Sequence, residues 1–253
     1  MAEWMAEGKE PEILFWVGSA GSFDDRAKKI TRAFVKILNQ AGVDFGILGV
    51  EEIATGDVAK RAGNEFLFQM QAMMNIQVLD AYNVKRIVTA CPHDYNTLKN
   101  EYPGLGGNYD VLHHTEFISE LIEKGRMNIS SNLSGKTVTF HDPCYLGRGN
   151  NVFDAPRNLI AKTGVKVIEM ERSGRTSFCC GAGGAQMFKE AEPGNKEINM
   201  ERAEEAVALS PSVVATGCPF CNTMMTDGVK YLEKQDDIEV LDVVEIIARA
   251  NEL

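Results

Sequence analysis

Residues 213–221 read Val-Val-Ala-Thr-Gly-Cys-Pro-Phe-Cys, a short β-rich run that ends in two cysteines with two residues between them. Such a run reads as a strand, and the pattern after it changes to that of a helix. Cys218 and Cys221 therefore stand at a strand-to-helix junction. One turn there presents both sulfurs to a single centre. The free N–H groups and the dipole of the helix N-terminus also favour negative charge beside it. The same construction occurs 127 residues earlier, as Arg-Ile-Val-Thr-Ala-Cys-Pro-His-Asp over 86–94.

Working outward, the two halves correspond along their whole length. Thr-Val-Thr-Phe-His-Asp (137–142) leads to Pro143-Cys144, as Ile-Leu-Phe-Trp-Val (13–17) leads to Gly18-Ser19. Thirty-five positions on, Cys179-Cys180-Gly181-Ala182 stands opposite Ala54-Thr55-Gly56-Asp57. Helix-patterned segments follow over 58–82 and 187–209. Both halves close with a strand and a helix, Val111 to Glu116 opposite Val240 to Glu245. The offset grows from 125 residues (Ser19 to Cys144) through 127 (Cys91 to Cys218) to 129 (Val111 to Val240), as small insertions would make it.

The coarse order in each half is strand, helix, strand, loop, helix, strand, helix. Apolar strand runs alternating with helices imply an α/β fold: two pseudo-repeated, Rossmann-like halves with mainly parallel sheets. The boundary is expected over 127–134, where the sequence turns polar (NISSNLSG, 128–135), giving domains of 1–130 and 131–253. Ligands of such sheets gather beyond the carboxyl ends of the strands. Both the first cysteine position and the Cys-Pro tetrapeptide follow directly on strands, which places them at one rim. Phe66, Met70, Met73, Met74 and Leu79 are expected to pack the core.

Net charge is −10, with 44% hydrophobic and 25% charged residues. The acidic balance argues against general nucleic-acid binding and against unaided docking on an anionic membrane. No stretch approaches 18 apolar residues, so direct membrane insertion is not expected. The opening MAEWMAEGKEP lacks an apolar h-region and reads as no export signal, so a cytoplasmic location is expected. In a reducing compartment clustered cysteines bind metal or do redox chemistry more often than they form disulfides.

Five of the six cysteines lie in the second half as Cys144-x34-Cys179-Cys180-x37-Cys218-x2-Cys221. Five convergent thiolates exceed the four of a tetrahedral zinc, and soft thiolates suit iron–sulfur clusters. A structural zinc on four of the five, serving as the scaffold of a complex, is the alternative. The glycines of Gly181-Ala-Gly-Gly184 let backbone approach a cluster and offer N–H donors to its sulfurs. His141 and Arg148 are near enough in sequence to tune charge and potential. Gly181-x-Gly183-Gly184 is not a dinucleotide fingerprint, and no cubane ferredoxin motif is present.

The segment from His141 to Cys221 resembles the cysteine-rich CCG domain found in heterodisulfide reductases and in the anaerobic glycerol-3-phosphate dehydrogenases. The resemblance covers nearly the whole chain, since these proteins usually carry the motif twice. It implies one non-cubane [4Fe-4S] cluster per chain held by Cys144, Cys179, Cys180, Cys218 and Cys221. It also implies an oxidoreductase subunit that passes electrons to or from a partner. That partner would carry ferredoxin-type clusters, with a haem- or quinone-binding membrane module anchoring the complex peripherally. Direct disulfide reduction or thiol oxidation at the cluster is the alternative. The second spacer is longer than the family's, and its extra residues are expected in a loop around 190–196. The first copy offers Ser19, Ala54, Thr55, Cys91 and Asp94 at the five positions, so it is expected to have lost its cluster. A mononuclear metal on Cys91, His93 and Asp94, with Asp57, is the sharper alternative; His113 and His114 read as packing or capping residues.

Overall fold

Short apolar runs build both sheets. In the first half a helix α1 (Ala2–Ala6) precedes β1 (Ile13–Trp16), α2 (Gly18–Phe23), α3 (Ala27–Gln40), β2 (Phe45–Gly46) and α4 (Asp57–Arg61). Then come α5 (Glu65–Ala81), β3 (Arg86–Thr89), α6 (Pro92–Asn96), β4 (Asp110–His113) and α7 (His114–Glu123). The second half runs β5 (Thr137–Phe140), α8 (Asp154–Lys162), β6 (Lys166–Val167), α9 (Ile198–Ala208), β7 (Val213–Thr216), α10 (Pro219–Tyr231), β8 (Glu239–Asp242) and α11 (Val243–Ala250). The computed structural model describes residues 1–190 and 193–253 and divides into two units, Met1–Met127 and Asn128–Leu253.

The strand order is β2-β1-β3-β4 in one sheet and β6-β5-β7-β8 in the other. The strands pair in parallel throughout, with Leu14 opposite Ile87 and Val138 opposite Val213. This is the α/β fold in two pseudo-repeated halves that the alternating pattern implies. β1 and β7 are buried at all four positions, as strands covered by helices on both faces must be. α3 supplies part of that cover with Ile30, Phe34, Ile37 and Leu38, all buried, and Phe34 meets Phe15 edge-on at 5.0 Å. β2 and β6, each at one edge of its sheet, are two residues long and supply the second strand expected in each half.

Three features depart from the sequence expectation. The helix expected over 58–82 breaks at Gly63, which has φ +87°, and Asn64 recaps it by accepting from the N–H of Leu67 at 3.0 Å. On α5 the buried face is Phe68, Ala72, Asn75, Ile76 and Leu79, while Phe66, Met70, Met73 and Met74 face outward, exposed. Two apolar stripes interleave along one helix, and periodicity alone cannot tell which is the core. Within the segment over 187–209 the α-helix runs Ile198–Ala208; Pro193 would break a helix interior and Gly194 would weaken one. The loop expected around 190–196 is bent at 193–196, and its residues 191 and 192 lie outside the described residues.

α9 and α10 cross closely at Gly228, where a Cβ would stand 2.5 Å from the Cβ of Ala203. Gly228→Ala is expected to destabilise the second unit by about 1–3 kcal/mol, as overpacking does. The gain of roughly 1 kcal/mol in helix propensity does not offset it. Gly104→Ala, where a Cβ meets nothing within 4 Å, should stay within about 0.5 kcal/mol of the parent. Denaturant titration of both variants checks the contrast; equal midpoints would refute the close-packing account.

Candidate metal centre

Three loops at the carboxyl edge of the second sheet bring the sulfurs together. β5 runs out through His141, Asp142 and Pro143 to Cys144. β7 runs out to Cys218, the N-cap of α10, with Pro219 in the first turn and Cys221 one turn in. The connection after β6 carries Cys179 and Cys180. Cys180, Cys218 and Cys221 are buried with Ala182, against Met187, Phe220 and Met224, while Cys144 and Cys179 are half-buried. The Sγ atoms of Cys180 and Cys221 stand 3.3 Å apart. Cys144 adjoins Cys179, and Cys218 adjoins Cys221. All are free thiols; a disulfide would need about 2.05 Å. Among the described residues His141, Cys180 and Cys221 form a group whose donor atoms all lie within 4.8 Å of one another.

Local structure fixes each loop. Gly181 has φ +88°, and its N–H donates to Cys179 Sγ at 3.2 Å. A Cβ there would also press on Cβ of Ile198 at 3.2 Å. Arg148 donates to the carbonyl of Ser177, tying the Cys144 loop to the Cys179 loop. Asp142, buried, accepts from Arg157 at 2.6 and 2.8 Å and from the N–H of Gly174 at 2.8 Å. His141 donates its backbone N–H to Ala215, and its ring Nδ1 accepts from Nε of Arg202 at 3.1 Å. Arg202 is wholly buried and also donates to the carbonyl of Arg172 and to Glu205. Its Nη2 is buried with no hydrogen-bond partner among the described residues.

The electrostatics follow from crowding. The neighbouring thiol of Cys144, then Cys180 and the Gly181 N–H, draw the Cys179 thiol far below its ordinary range. Contact with that sulfur, and burial, push the Cys144 and Cys180 thiols up. Cys221 is pushed up by Cys180, Cys218 and burial. Thiolates gathered here repel one another unless positive charge matches them. Burial first, and the Arg202 charge second, push His141 down to about 4, so the imidazole is neutral at pH 7.

The corresponding positions of the first sheet are occupied by hydrogen-bonded acids. Where Cys180 meets Cys221 in the second unit, Thr55 Oγ1 donates to Asp94 Oδ1 at 2.7 Å in the first. The Cys91 thiol also bonds Asp94. Gly18 has φ +75°, and a Cβ on it would fall 2.5 Å from Asp94 Oδ2. Glu52 accepts from the N–H groups of Val17 at 3.1 Å and Gly18 at 2.7 Å. His93 Nδ1 is engaged with Asp57 at 2.9 Å, and Asp57 with Arg61 at 3.1 Å. Cys91 is thus paired with Asp94, and His93 with Asp57. Among the described residues they form no group of three donors within 4.8 Å. His113 and His114 are buried; Glu116 accepts from the His113 N–H at 3.0 Å, and His114 packs edge-on against Phe34.

A family model described as a cysteine-rich domain, CCG, matches residues 13–99 and again 138–226. The chain belongs to the CCG cysteine-rich domain family. It is 51% identical over 249 residues to the probable iron-sulfur-binding oxidoreductase FadF of Bacillus subtilis, covering 98% of this chain and 35% of that protein. It is 45% identical over 252 residues to the EtfAB:quinone oxidoreductase of Syntrophomonas wolfei, covering 97% and 35%. It is 31% identical over 247 residues to one subunit of the dihydromethanophenazine:CoB–CoM heterodisulfide reductase of Methanosarcina barkeri, covering 94% and 59%. This CCG chain thus spans about a third of the length of the first two relatives. Among its described residues no helix is long and apolar enough to cross a membrane.

Sequence reasoning does not find Arg202, Asp142, Arg157 or Glu52. Arg202 is 61 residues from His141, and no local spacing connects them. Burial raises Asp94 to about 6 and Glu52 to about 7, outweighing the hydrogen bonds that favour their charged forms. Both folded values exceed the unfolded ones, so below about pH 4 the two groups add nothing to the pH dependence. As pH rises from about 4 through about 7 each destabilises the first unit, by on the order of 3 kcal/mol. Asp94→Asn, which keeps an acceptor for Thr55, should remove about half of that loss. Denaturation midpoints at pH 4.5 and 7.5 measure it; a variant with the parent's full pH slope would overturn the assignment.

Proposed function

We propose that the CCG domain over 131–253 binds one iron–sulfur cluster through Cys144, Cys179, Cys180, Cys218 and Cys221. The chain then passes electrons to or from a partner subunit of a larger oxidoreductase, and the domain over 1–130 serves as scaffold. The single observation that carries this reading is five free thiols packed at one sheet edge, Cys144 against Cys179, Cys180 against Cys221 and Cys221 against Cys218. Cations that neutralise the thiolates of such a group complete the site. Five donors exceed a tetrahedral zinc, which favours a polynuclear iron centre of the non-cubane [4Fe-4S] kind over a single zinc. The 3.3 Å separation of the Cys180 and Cys221 sulfurs is close to the roughly 3.7 Å between two thiolates on one tetrahedral ion with bonds of about 2.3 Å. The unpartnered N–H of the buried Arg202 also suits a negatively charged centre nearby.

A bound cluster supplies one-electron redox chemistry, and the residues around it do the rest. The Gly181 N–H holds Cys179 as thiolate, and Arg148 and Asp142 hold the loops in register. The buried sulfurs of Cys180, Cys218 and Cys221 keep water from one side. The half-buried Cys144 and Cys179 mark the side on which a redox partner approaches. The relatives are named as an iron-sulfur-binding oxidoreductase, an EtfAB:quinone oxidoreductase and a heterodisulfide reductase subunit. Those names support iron–sulfur and quinone-linked oxidoreductase chemistry; a partner with ferredoxin-type clusters and a membrane module is the form of it proposed here. The exposure of Cys144 and Cys179 also admits a second reading. There, two electrons from the partner and two protons would cleave a bound disulfide to two thiols.

Anaerobically purified protein is expected to carry about four irons per chain with equivalent sulfide. Cys179→Ser and Cys218→Ser should lose the chromophore, and Cys91→Ser should keep it. One zinc and no iron would sink the proposal; bleaching by Cys91→Ser would overturn the scaffold role of the first domain. Release of two thiols per disulfide, with a chemical reductant in excess to supply the two electrons through the cluster, would select the second reading.

A further inference from the structure

Arginine has only donors. Because Nε of Arg202 donates to Nδ1 of His141 at 3.1 Å, that nitrogen presents a lone pair. A neutral imidazole whose Nδ1 is bare carries its proton on Nε2. We propose that Arg202 is a positioning residue that locks His141 in the Nε2–H form, and that this N–H donates to the sulfur centre and raises its reduction potential. The inference rests on the iron–sulfur reading above.

Three observations converge on it. A ring nitrogen of His141 lies within 4.8 Å of both the Cys180 and the Cys221 sulfurs, and Nδ1 is already committed to Arg202. With Nδ1 committed to Arg202, Nε2 is the ring nitrogen left to face a centre held by those two sulfurs. Second, the lock is rigid. His141 is tied by its backbone to β7, and Arg202 is buried on α9 with Nη1 held by the Arg172 carbonyl at 2.9 Å and by Glu205 at 2.8 Å. Third, the dyad goes with the cysteines. At the repeat offsets of 125 and 127 residues, His141 and Arg202 correspond to Trp16 and Asn75. The unit that lacks the thiols has neither an imidazole nor a cation there; Asn75 instead bonds the carbonyls of Ile53 and Ala54. A hydrogen bond to cluster sulfur stabilises the more negative, reduced state.

The test uses the full chain, purified anaerobically, with iron counted before each redox titration. His141→Phe and Arg202→Met should both retain the parent's iron. At a fixed ambient potential each should lower the reduced-to-oxidised ratio by roughly tenfold, a shift of about 59 mV for one electron. In the paramagnetic state the strongly coupled exchangeable proton seen by ENDOR should vanish in both variants. Arg202→Lys, which keeps a charged donor, should restore potential and coupling, and it serves if Arg202→Met does not fold. Full iron with unchanged potential and coupling in His141→Phe overturns the inference and leaves the cluster reading intact. Iron loss from a folded His141→Phe protein overturns it in favour of ligation. A parent protein without iron overturns the cluster reading itself.

Discussion

Thiols buried together resist ionising together, and this constraint organises the second unit. Cys144, Cys179, Cys180, Cys221 and Cys218 form a chain of contacts in which Cys179 is drawn toward thiolate while Cys144, Cys180 and Cys221 are pushed up. A chain with no purpose for such a cluster would gain by replacing the thiols with apolar side chains, because crowded ionisable groups add nothing to packing. Instead the surroundings are built around negative charge. A glycine N–H meets Cys179, an arginine clamps two of the loops, and the N-terminus of α10 stands behind Cys218 and Cys221.

The two sheets show how one frame accepts two chemistries. Strand order and parallel pairing are the same, so the carboxyl edges present equivalent positions. In the second unit those positions hold sulfurs in contact. In the first, the positions of Cys180 and Cys221 hold Thr55 and Asp94 in a hydrogen bond, and a carboxylate oxygen occupies the space a side chain on Gly18 would need. Only a glycine tolerates both that close approach and φ +75°. The first site is therefore filled by its own side chains, its four candidate metal ligands paired as Cys91 with Asp94 and His93 with Asp57, which agrees with a scaffold role.

How much of this is legible in the sequence depends on range. The cysteine spacing, the Cys-Pro turns and the duplication are local or periodic signals, and they lead directly to the sheet edge. The second strand of each half follows from the alternation, but β2 and β6 are only two residues long, too short for the pattern to fix their bounds. The outward stripe of Phe66, Met70, Met73 and Met74 passes for core in the sequence because α5 carries a second apolar stripe one step round the helix. Arg202, Asp142 and Glu52 act across tens of residues of chain, or between segments that no local pattern connects, and only the fold brings them to their partners.

The fate of the cation in the first unit bears on why Arg202 is where it is. A buried guanidinium is costly unless anions or acceptors surround it. Glu205 meets Nη1 and the Arg172 carbonyl shares it, yet Nη2 remains without a partner among the described residues. Glu205 therefore does not satisfy all of the donors. A stability argument alone would put a smaller polar residue at this place, and the first unit does so with Asn75, whose side chain is occupied by Ile53, Ala54 and Tyr102. Arg202 stands beside the imidazole that borders the sulfurs, in the unit that keeps all five thiols. Negative charge gathered at those sulfurs would offset the cost of burying this cation, and the cation in turn makes that charge easier to hold.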